Sequence, residues 1–486
     1  MIELIDFFKK INTEVFLCGG LVRDFYMDTK GKLDIIKMPK EYFEDKDLDI
    51  CSSVRPDDLI KHCKKYNIKH FYTENGKNHG TISICLDENI YEHTSFRKDI
   101  STDGRNAVVE FSDSLEDDAK RRDFTMNSLY INLFNGEIID PNKGIWDINN
   151  KIIRFVGNTK DRILEDSLRI MRFFRFSITK NFGYTNRDLE LIRGLSFLLT
   201  RVSEERIIKE MEKMLFDKNI IISTTSKKFK DLLVCFDDER ILKKFPICCV
   251  INTMFKCKFY HPHHIRNNVL DHSLDILNRT KHFLKSNNDK FYQDNKTQLY
   301  MMYCALFHDF LKPANISWNP EKNHHQFIKH DSLDYITNII PLRVLENMKI
   351  STKLKNLIKY TIQFHMRYWS VDIQDKKSIF KFCLKMRDKG MTEEDFRIIY
   401  PVIVSEAKHS SSIVEQRKKS KIIIEEFFKI NKIFKETSLS DFLSESQLKN
   451  KKYFTRFVIA KNTIVKMKYI YNKVINGRDV KSILKG

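Results

Sequence analysis

The stretch EDKDLDICSSVRP, residues 44–56, places two aspartates one residue apart inside an apolar run. Side chains alternate along a strand, so Asp47 and Asp49 project from one side, roughly 7 Å apart, while Leu48 and Ile50 point into a core. Two bare carboxylates this close repel each other. A pair of divalent ions about 4 Å apart, the usual arrangement for in-line attack on a phosphoryl group, removes the repulsion. A solvated strand end shows the same pattern, so the rest of the chain has to decide.

Composition indicates a large folded protein with an anionic partner. The chain has 486 residues, a hydrophobic content of 42% and a formal charge of +20. A prior of about 150 residues per domain suggests three or so domains. Because the charge is spread along the chain, it favours a basic surface suited to a polyanion, first of all a nucleic acid. The alternative is that the charge reflects only a lysine-rich composition and has no binding role.

Cysteine usage and the apolar runs indicate a reducing compartment. Ten cysteines are present, with no Cys-x-x-Cys pair, as expected of reduced core residues. The amino terminus lacks a signal-peptide cleavage pattern, and the longest apolar stretches are far shorter than a membrane span. We therefore expect a cytoplasmic protein with no membrane partner.

Two different patterns divide the chain. Residues 1–150 contain the apolar segments EVFLC, DLDI, TISICLD, IYEHTSF and SLYINLF, which predict one mixed sheet with flanking helices. From residue 151 onward apolar residues recur at helical spacing, and the strand signals fade. The predicted fold class is therefore α+β, with an all-helical second part.

A strand, two glycines and a helix start follow one another in FLCGGLVRDF, residues 16–25. Gly19 and Gly20 let a backbone approach a triphosphate, the amides of the helix start point at it, and Arg23 adds a forked donor. An ordinary glycine turn has the same appearance. Combined with the acidic pair, however, the stretch predicts half of a metal–nucleotide site.

Two later segments add to this site. Glu92 in YEHTSFR lies on another apolar strand and could complete the metal cage as a third carboxylate. In LEDDAKRRDFTMNSL, Arg122 is the second of two arginines and the better candidate for a phosphate or ribose contact. A surface salt bridge is the alternative for this arginine pair.

Charged residues recur three apart in ILEDSLRIMRFFR, residues 163–175. This spacing places Asp166 beside Arg169, with Arg172 and Arg175 further along one helix. A carboxylate acceptor next to a guanidinium donor can pair with the Watson–Crick edge of a base, so that protein side chains stand in for a template. The alternative is an intrahelical ion pair of about 0.3–0.5 kcal/mol.

Together these segments resemble the class II tRNA nucleotidyltransferase and bacterial poly(A) polymerase family. The resemblance covers residues 14–180 and rests on seven segments in the family's order: GGLVRD, DLDICSSVRP, HGTISI, EHTSFR, SLEDDAKRRDFTMN, EIIDP and EDSLRIMRFFR. It implies a head with the DNA polymerase beta-type nucleotidyltransferase fold, followed by helical neck and body domains. It further implies two Mg²⁺ ions on the paired aspartates, triphosphate contacts from Gly20 and Arg23, and base reading by Asp166 and Arg169.

One departure from the family is a longer spacing between Arg23 and Asp47, which indicates an insertion. Within it, LDII at residues 33–36 lies nearer the usual spacing. This segment lacks a second acid, and the family's downstream residues follow DLDI, so we keep the acidic pair at residues 47 and 49.

A second group of metal-ligating residue types occurs in a region of helical pattern. The segments HPHHIRNNVLDHSL, CALFHDFLKP, FIKHDSL and IQFHMRYW supply His272, His308, Asp309, His330 and His365. Adjacent His and Asp on an apolar helix can ligate one metal, here a divalent transition metal. The region, residues 260–410, resembles HD-type metal-dependent phosphohydrolases. Leu311 replaces their usual glycine, and Glu406 stands where their last aspartate ligand is expected.

The resemblances predict four parts. They are a nucleotidyltransferase head (1–150), a helical neck and body that bind the base and RNA (151–259), an HD-type domain (260–410) and a basic helical region (411–486). The last region ends in VINGRDVKSILKG, which resembles a short G-x-D-L segment of related enzymes.

The predicted function is template-independent addition of CMP and AMP to a tRNA 3′ end, from CTP and ATP, by a two-metal mechanism. TENGKNHGTISICLD resembles the CCA-adding branch, and no Gly-Arg-Arg-Phe stretch typical of bacterial poly(A) polymerases is present. Poly(A) synthesis and partial addition of CC or A stay open. So do two other classes, an HD phosphohydrolase acting on RNA 3′ ends and a non-catalytic RNA-binding protein.

Overall fold

The computed structural model describes residues 1–44, 46–72, 80–102, 107–224, 226–261, 268–406 and 410–436. The chain divides into two compact units, one formed by Met1–Asp217 and Thr225–Phe245 and the other by Lys218–Thr224 and Pro246–Gly486. The finer division into four parts stays a prediction. The segment VINGRDVKSILKG lies outside the described residues.

A mixed sheet forms the centre of the first unit. Its strands and those of a small neighbouring sheet are β1 (Phe16–Cys18), β2 (Leu48–Ser52), β3 (Lys69–Tyr72), β4 (Thr81–Leu86), β5 (Asn89–Ser95), β6 (Arg97–Thr102), β7 (Ala107–Phe111), β8 (Tyr130–Asn132) and β9 (Ile138–Ile139). Seven of them pair in the order β3-β4-β5-β2-β1-β8-β9, and β6 pairs with β7. Within the seven-stranded sheet β2 and β5 run parallel, and the other neighbours run antiparallel.

The predicted mixed sheet is therefore confirmed. The five predicted strands correspond to β1, β2, β4, β5 and β8. The sequence reasoning missed β3, β6, β7 and β9. Two of these, β3 (KHFY) and β6 (RKDIST), contain many charged or polar residues. β7 (AVVEF) is a short, mostly apolar segment, and β9 has only two residues.

The helices of the first unit cover the sheet and continue beyond it. They are α1 (Ile2–Lys10), α2 (Gly20–Thr29), α3 (Pro56–Lys65), α4 (Leu115–Arg121), α5 (Gly144–Asn149), α6 (Thr159–Glu165), α7 (Arg169–Thr179), α8 (Asn186–Leu195), α9 (Glu204–Leu215), α10 (Lys227–Phe236) and α11 (Glu239–Lys244). Helix α7 packs through aromatic rings: Phe173 stacks on Phe155 at 5.7 Å, and Phe155 lies 4.8 Å from Phe124. Burial of such rings supplies much of a core's stability, so α7 packs stably against the segments that contain Phe124 and Phe155.

The second unit is mostly helical. Its helices are α12 (Pro246–Lys256), α13 (Val269–Ser286), α14 (Lys290–Gln293), α15 (Asn295–Phe307), α16 (Ile339–Asn347), α17 (Thr352–Trp369), α18 (Lys376–Asp388), α19 (Glu393–Val404) and α20 (Ser410–Glu436). The helical prediction is confirmed with one correction, an antiparallel hairpin of β10 (Ile316–Asn319) and β11 (His324–Phe327). Its connecting turn contains Pro320 and a left-handed Asn323 with φ of 51°, and both residue types favour turns.

Among the described helices, none is both long enough and apolar enough to cross a membrane.

Candidate active site and metal centre

The acidic residues of the first unit meet on two adjacent strands. β2 and β5 are parallel, and their register pairs Asp49 with Glu92. Asp47 directly precedes the first residue of β2. Burial raises the pKa of Asp49 to about 6, Arg122 opposes the rise, and the charges of Glu92 and Asp47 add to it. The structure thus brings the three predicted carboxylates within electrostatic reach of one another.

This acidic group has the donors that a hard divalent cation needs. Asp47 and Glu92 are exposed, whereas Asp49 is partly buried. Mg²⁺ is held by carboxylate oxygens together with substrate phosphates. Because a cation among the three carboxylates would relieve the repulsion that raises the pKa of Asp49, the residues fit a divalent metal.

The alternative acidic segment, LDII, does not compete for this position. Asp34 precedes a 3-10 turn at Ile35–Lys37 and accepts a hydrogen bond from the Ile36 amide. A second 3-10 turn follows at Lys40–Tyr42. The longer spacing is therefore taken up by turns before β2.

The glycine turn lies directly against the acidic group. Gly19 has φ of +75° and precedes α2, which begins at Gly20. A Cβ on Gly19 would lie 3.4 Å from Asp49 Oδ2 and 3.5 Å from Arg122 Nη1, and one on Gly20 would lie 3.6 Å from Arg23 Nη2. The free amides at the start of α2, which favour anions, therefore begin beside the carboxylates.

Arg23 and Arg122 are already paired with protein groups. Arg23 donates to Asn127 Oδ1 at 2.7 Å and to both carboxylate oxygens of Asp24. Arg122 donates from Nε and Nη2 to Asp118 Oδ2, at 3.1 and 3.0 Å. Both guanidinium groups are thus fixed beside the glycine turn, and their contacts with a phosphate or ribose stay predictions.

Sequence reasoning missed the residues that hold these arginines. Asp118 is fully buried and also accepts a hydrogen bond from Tyr130 at 2.8 Å. Asn127 links Arg23 to Asp123, since its Nδ2 donates to Asp123 Oδ1 at 3.0 Å. The four-residue spacing of Asp118 and Arg122 was a visible signal, whereas nothing in the sequence marked Asn127.

The prediction that one helix carries the base-reading residues is wrong. Helix α6 ends at Glu165, α7 begins at Arg169, and Asp166 lies between them with an extended backbone. Asp166 accepts from the Leu168 amide and pairs with Arg206 at 2.9 Å. Arg169 instead pairs with Glu165 at 2.6 Å. The cause is a helix break, because the Asp166 carboxylate caps the following turn instead of facing a residue three positions later.

Arg172 and Arg175 do follow each other along α7. Arg172 Nε donates to Asp123 Oδ2 at 2.7 Å, and Arg175 Nε donates to Glu210 Oε2 at 2.5 Å. Their guanidinium carbons lie 5.5 and 3.8 Å from the centre of the Phe176 ring. Both arginines therefore have structural partners, and their contacts with a nucleotide stay predictions.

Four histidines of the second unit surround one aspartate. His308 and Asp309 follow the end of α15, His272 lies on α13, His365 lies on α17, and His330 follows β11. Asp309 Oδ2 is 3.3 Å from His272 Nε2 and 3.1 Å from His308 Nε2. Asp309 Oδ1 is 3.6 Å from His330 Nε2 and 3.5 Å from His365 Nε2. Five of the six predicted ligands therefore meet at one point, in two groups that share Asp309.

The backbone sets the orientation of three of these imidazoles. The Nδ1 atoms of His308, His330 and His365 lie 2.9, 2.7 and 2.8 Å from the carbonyl oxygens of Ala305, Phe327 and Ile362. An Nδ1–H that donates to a carbonyl leaves the Nε2 lone pair for a metal, the usual outer-shell arrangement of metal-binding histidines. The Nε2 atoms thus point at Asp309, and a metal ion would bind them in the neutral imidazole form, in which Nδ1 carries the proton.

Buried polar atoms without a regular hydrogen bond support a cation at this point. Within the described residues, His308 Nε2 and both carboxylate oxygens of Asp309 are buried and form ion-pair contacts without a hydrogen bond of regular geometry. Lys312 Nζ forms an ion pair with Asp309 Oδ2 at 2.5 Å. Burial lowers the pKa of His308, but Asp309 and Glu406 outweigh burial and raise it to about 10. The pKa of an imidazole rises in this way when the ring faces two carboxylates and no metal ion lies between them, so the donor set fits a metal.

Glu406 and Leu311, the two departures from the HD pattern, differ in their position relative to the histidine cluster. Glu406 Oε1 lies 3.1 Å from His308 Nε2, so the longer acid does reach the cluster at its His308 side. Leu311 is fully buried and has an ordinary right-handed backbone with φ of −84°. Its position therefore needs no glycine.

Comparisons with known proteins find similarity over part of this chain. Residues 15–154 match the family described as the poly A polymerase head domain. The mitochondrial CCA tRNA nucleotidyltransferase 1 of Homo sapiens is 35% identical over 221 residues, which are 45% of this chain and 47% of that protein. The CCA-adding enzyme of Streptococcus gordonii is 35% identical over 216 residues, 44% of this chain and 49% of that protein. The chain thus spans about half the length of the curated relatives it matches.

Solved structures share the fold. The Bacillus stearothermophilus CCA-adding enzyme in complex with CTP superposes with a TM-score of 0.51 at 20% identity, over 86% of this chain and 80% of that one. A CCA-adding enzyme in its apo form I gives a TM-score of 0.54 at 18% identity, over 98% and 89%. Residues 15–154 are therefore similar to the head domain of the poly A polymerase family, and about half of the chain is similar to part of tRNA nucleotidyltransferases that add CCA.

Proposed function

We propose that this protein adds CMP and AMP to the 3′ end of tRNA from CTP and ATP, without a template. The observation that carries the proposal is the pairing of Asp49 with Glu92 beside the Gly19 turn. Relatives named CCA-adding enzymes and CCA tRNA nucleotidyltransferases support this choice. A related solved structure described as a tRNA nucleotidyltransferase with a primer tRNA and an incoming ATP analog supports it too.

In this proposal the three carboxylates hold the metal ions. Two Mg²⁺ ions held there would lower the pKa of the attacking 3′ hydroxyl and neutralise negative charge on the triphosphate. The Gly19–Gly20 turn lets the triphosphate approach the first amides of α2, which stabilise its negative charge. Arg23 and Arg122, held beside the turn, add positive charge at the same place.

Base selection is assigned to the segment between α6 and α7. Asp166 is an acceptor, Arg169 is a donor, and Arg206 joins them as the partner of Asp166. Reading a base edge with protein groups needs acceptors and donors held in place. The ion pairs of Asp166 with Arg206 and of Arg169 with Glu165 hold them.

The experiment supplies the purified protein with tRNA lacking its 3′ end, Mg²⁺ and each labelled nucleotide separately. Incorporation of CTP followed by ATP is expected. Repeated incorporation of ATP alone would indicate a poly(A) polymerase, and addition of only CC or only A would indicate a partial enzyme. RNA binding without incorporation would overturn the enzymatic proposal.

We also assign the protein to the cytoplasm, although the named relatives include a mitochondrial protein.

We propose a second function for the histidine cluster, hydrolysis of phosphoesters at RNA 3′ ends. Its basis is the convergence of four histidine Nε2 atoms on Asp309. A divalent transition metal held there would supply an activated water and a Lewis acid. With a 2′,3′-cyclic phosphate as substrate, water adds to phosphorus and one ring P–O bond breaks. When the bond between phosphorus and the 3′ oxygen breaks, the products are a 2′ phosphomonoester and a free 3′ hydroxyl, and a free 3′ hydroxyl is the group that the head extends.

Metal analysis and a hydrolysis assay test this second proposal. We expect a bound transition metal and turnover of an RNA that ends in a 2′,3′-cyclic phosphate. A protein that takes up no metal from Mn²⁺, Ni²⁺, Co²⁺ or Zn²⁺ would overturn the assignment of the cluster as a metal centre.

A further inference from the structure

The β10–β11 hairpin is built directly into the histidine cluster. β10 begins at Ile316, four residues after Lys312, and β11 ends at Phe327, three residues before His330. Both Lys312 and His330 face Asp309. The hairpin therefore leaves one side of the cluster and returns to it.

One face of the hairpin carries a row of rings. The register pairs Trp318 with His325 and Ile316 with Phe327, and alternation along a strand puts these four residues on one side. Phe327 lies next to the cluster: its ring centre is 6.4 Å from that of His330 and 5.3 Å from Lys312 Nζ. Trp318 and His325 follow, with ring centres 5.0 Å apart. We call these four residues the hairpin face.

The outer end of the hairpin face is open to solvent. Trp318 is 48% exposed, although a tryptophan buries a large apolar area when it is covered. Tyr260, 59% exposed, lies along the edge of β11: its carbonyl accepts from the His325 amide, and its amide donates to His325 Nδ1, both at 2.9 Å. Aromatic surface thus extends from the cluster to the outside.

The charges around the hairpin favour an anionic partner. In the hairpin and the segments beside it, residues 256–261 and 312–334, the exposed lysines are Lys256, Lys258, Lys322 and Lys329, against the exposed acids Glu321 and Asp334. Proteins that bind single-stranded nucleic acid combine positive charge that follows the phosphates with aromatic rings on which bases stack. A protein partner or a second copy of the chain would use the rings without needing the lysines.

We propose that the hairpin face binds the last bases of a single-stranded RNA 3′ end, while the terminal phosphoester lies at the histidine cluster. This inference rests on the proposed hydrolase function of the cluster and names its substrate class. Trp318 and Tyr260 stack on bases, and Lys322 and Lys329 face the phosphates. The cluster thereby distinguishes an RNA end from a small phosphoester.

Fluorescence tests the stacking without any catalysis. The chain contains three tryptophans, so the full-length protein with Trp146→Phe and Trp369→Phe reports on Trp318 alone. It is titrated in EDTA with a short single-stranded RNA that ends in a 2′,3′-cyclic phosphate, and with an abasic oligomer of equal length and charge. We expect quenching by the RNA at concentrations at least tenfold lower than by the abasic oligomer. Equal quenching by both would overturn the proposal.

A kinetic comparison separates this proposal from that of the metal centre. With metal present, Trp318→Ala should lower the ratio of kcat/KM for the RNA to kcat/KM for bis(p-nitrophenyl) phosphate at least tenfold, and Trp318→Phe should restore it. An unchanged ratio would overturn the proposal that the hairpin face binds RNA, while leaving the hydrolase proposal intact. If the wild type hydrolyses neither substrate, the hydrolase proposal fails, and the fluorescence result still decides whether the hairpin face binds RNA. Emission of Trp318 that follows protein concentration, together with self-association, would make a second copy the occupant and overturn the proposal.

Discussion

Asp49 is paired in register with Glu92 on the parallel strands β2 and β5. A slip of one residue would turn one of the two carboxylates to the opposite face of the sheet. The buried neighbours of Asp49 on β2, Leu48 and Ile50, hold this register, because the same slip would expose them. The acidic group is thus fixed by the core of the sheet.

The first prediction concerns this acidic group. Asp47→Ala or Asp49→Ala should reduce nucleotide addition at least a thousandfold, because the metal ions are lost, while tRNA binding stays within about threefold since the basic surface is unchanged. Asp34→Ala is the matched control, because Asp34 caps a 3-10 turn and should keep its activity. Labelled incorporation and a filter-binding assay measure the two properties. Normal incorporation by the Asp49 variant at saturating Mg²⁺ would contradict the two-metal assignment.

The glycine turn gives the second prediction. Gly19→Ala combines a left-handed backbone with a Cβ 3.4 Å from Asp49 Oδ2, so it should both destabilise the protein and lower kcat/KM for the nucleotide. Gly157→Ala is the control, since φ is +71° there and nothing lies within 4 Å of the added Cβ. Both should lose about 1–2 kcal/mol of unfolding free energy from the backbone strain. Equal activities of the two variants would show that close approach at Gly19 is not needed.

Base choice gives the third prediction. Asp166→Ala and Arg169→Ala should lose the preference for CTP and ATP over UTP and GTP, because each buried group left unpaired costs about 1–3 kcal/mol. Competition between labelled nucleotides measures the preference. Arg193→Lys is the control, because Arg193 pairs with Asp231 and is not among the predicted site residues, so this variant should keep the preference. Variants that are slower with all four nucleotides but equally selective would assign Asp166 and Arg169 a structural role.

The sequence was a good guide where one local pattern carried the information. Asp47, Asp49, Gly19 and Glu92 lie in short segments whose strand or turn character follows from their own residues. The Asp166–Arg169 pair was predicted wrongly, because its spacing assumes an unbroken helix and the chain breaks after Glu165. At the break the Asp166 carboxylate accepts from the Leu168 amide and also pairs with Arg206 of α9, which is 40 residues away in sequence.

Long-range contacts explain the other differences. The hairpin pairs Trp318 with His325; β10 (ISWN) alternates between apolar and polar residues over only four positions, and β11 (HHQF) does not alternate. Asn127 could not be recognised because its two partners, Arg23 and Asp123, come from separate segments. The histidine cluster was predicted as a set of ligands from its resemblance, but the sharing of Asp309 between two pairs of histidines is a property of the packed helices.

Acid stability gives the fourth prediction. Burial raises the pKa of Asp118, but Arg121, Arg122 and Tyr130 outweigh burial and hold it at about 2. The ordinary pKa of an aspartate is about 3.9, so this group contributes about 2–3 kcal/mol of stability above pH 4. The contribution is lost as the pH falls through the folded-state value.

Asp118→Asn should therefore destabilise the first unit by about 3–5 kcal/mol near neutral pH, because two arginines lose a buried partner. The difference in unfolding free energy between this variant and the wild type should shrink as the pH falls from 4 to 2. Urea denaturation with Trp146 as the only tryptophan, after Trp318→Phe and Trp369→Phe, reports on this unit. Asp117→Asn, at a less buried neighbouring position, is the control with a small effect. A pH-independent difference would contradict the assigned ion pair.

Metal removal from the histidine cluster is the fifth prediction, and it separates the two units by chemistry. His308→Ala combined with Asp309→Ala should abolish binding of a transition metal, because Asp309 is shared by both histidine pairs. His365→Ala should reduce metal content without abolishing it, since His272, His308 and Asp309 still form a group. His282→Ala is the matched control, because His282 lies on the same helix as His272 but is exposed.

None of these changes should alter CMP or AMP incorporation, since the carboxylates on β2 and β5 hold their own ions. Elemental analysis and the incorporation assay, run on the same preparations, measure both properties. A double variant that still bound stoichiometric metal would place the metal elsewhere, and loss of incorporation in that variant would show that the two sites are coupled.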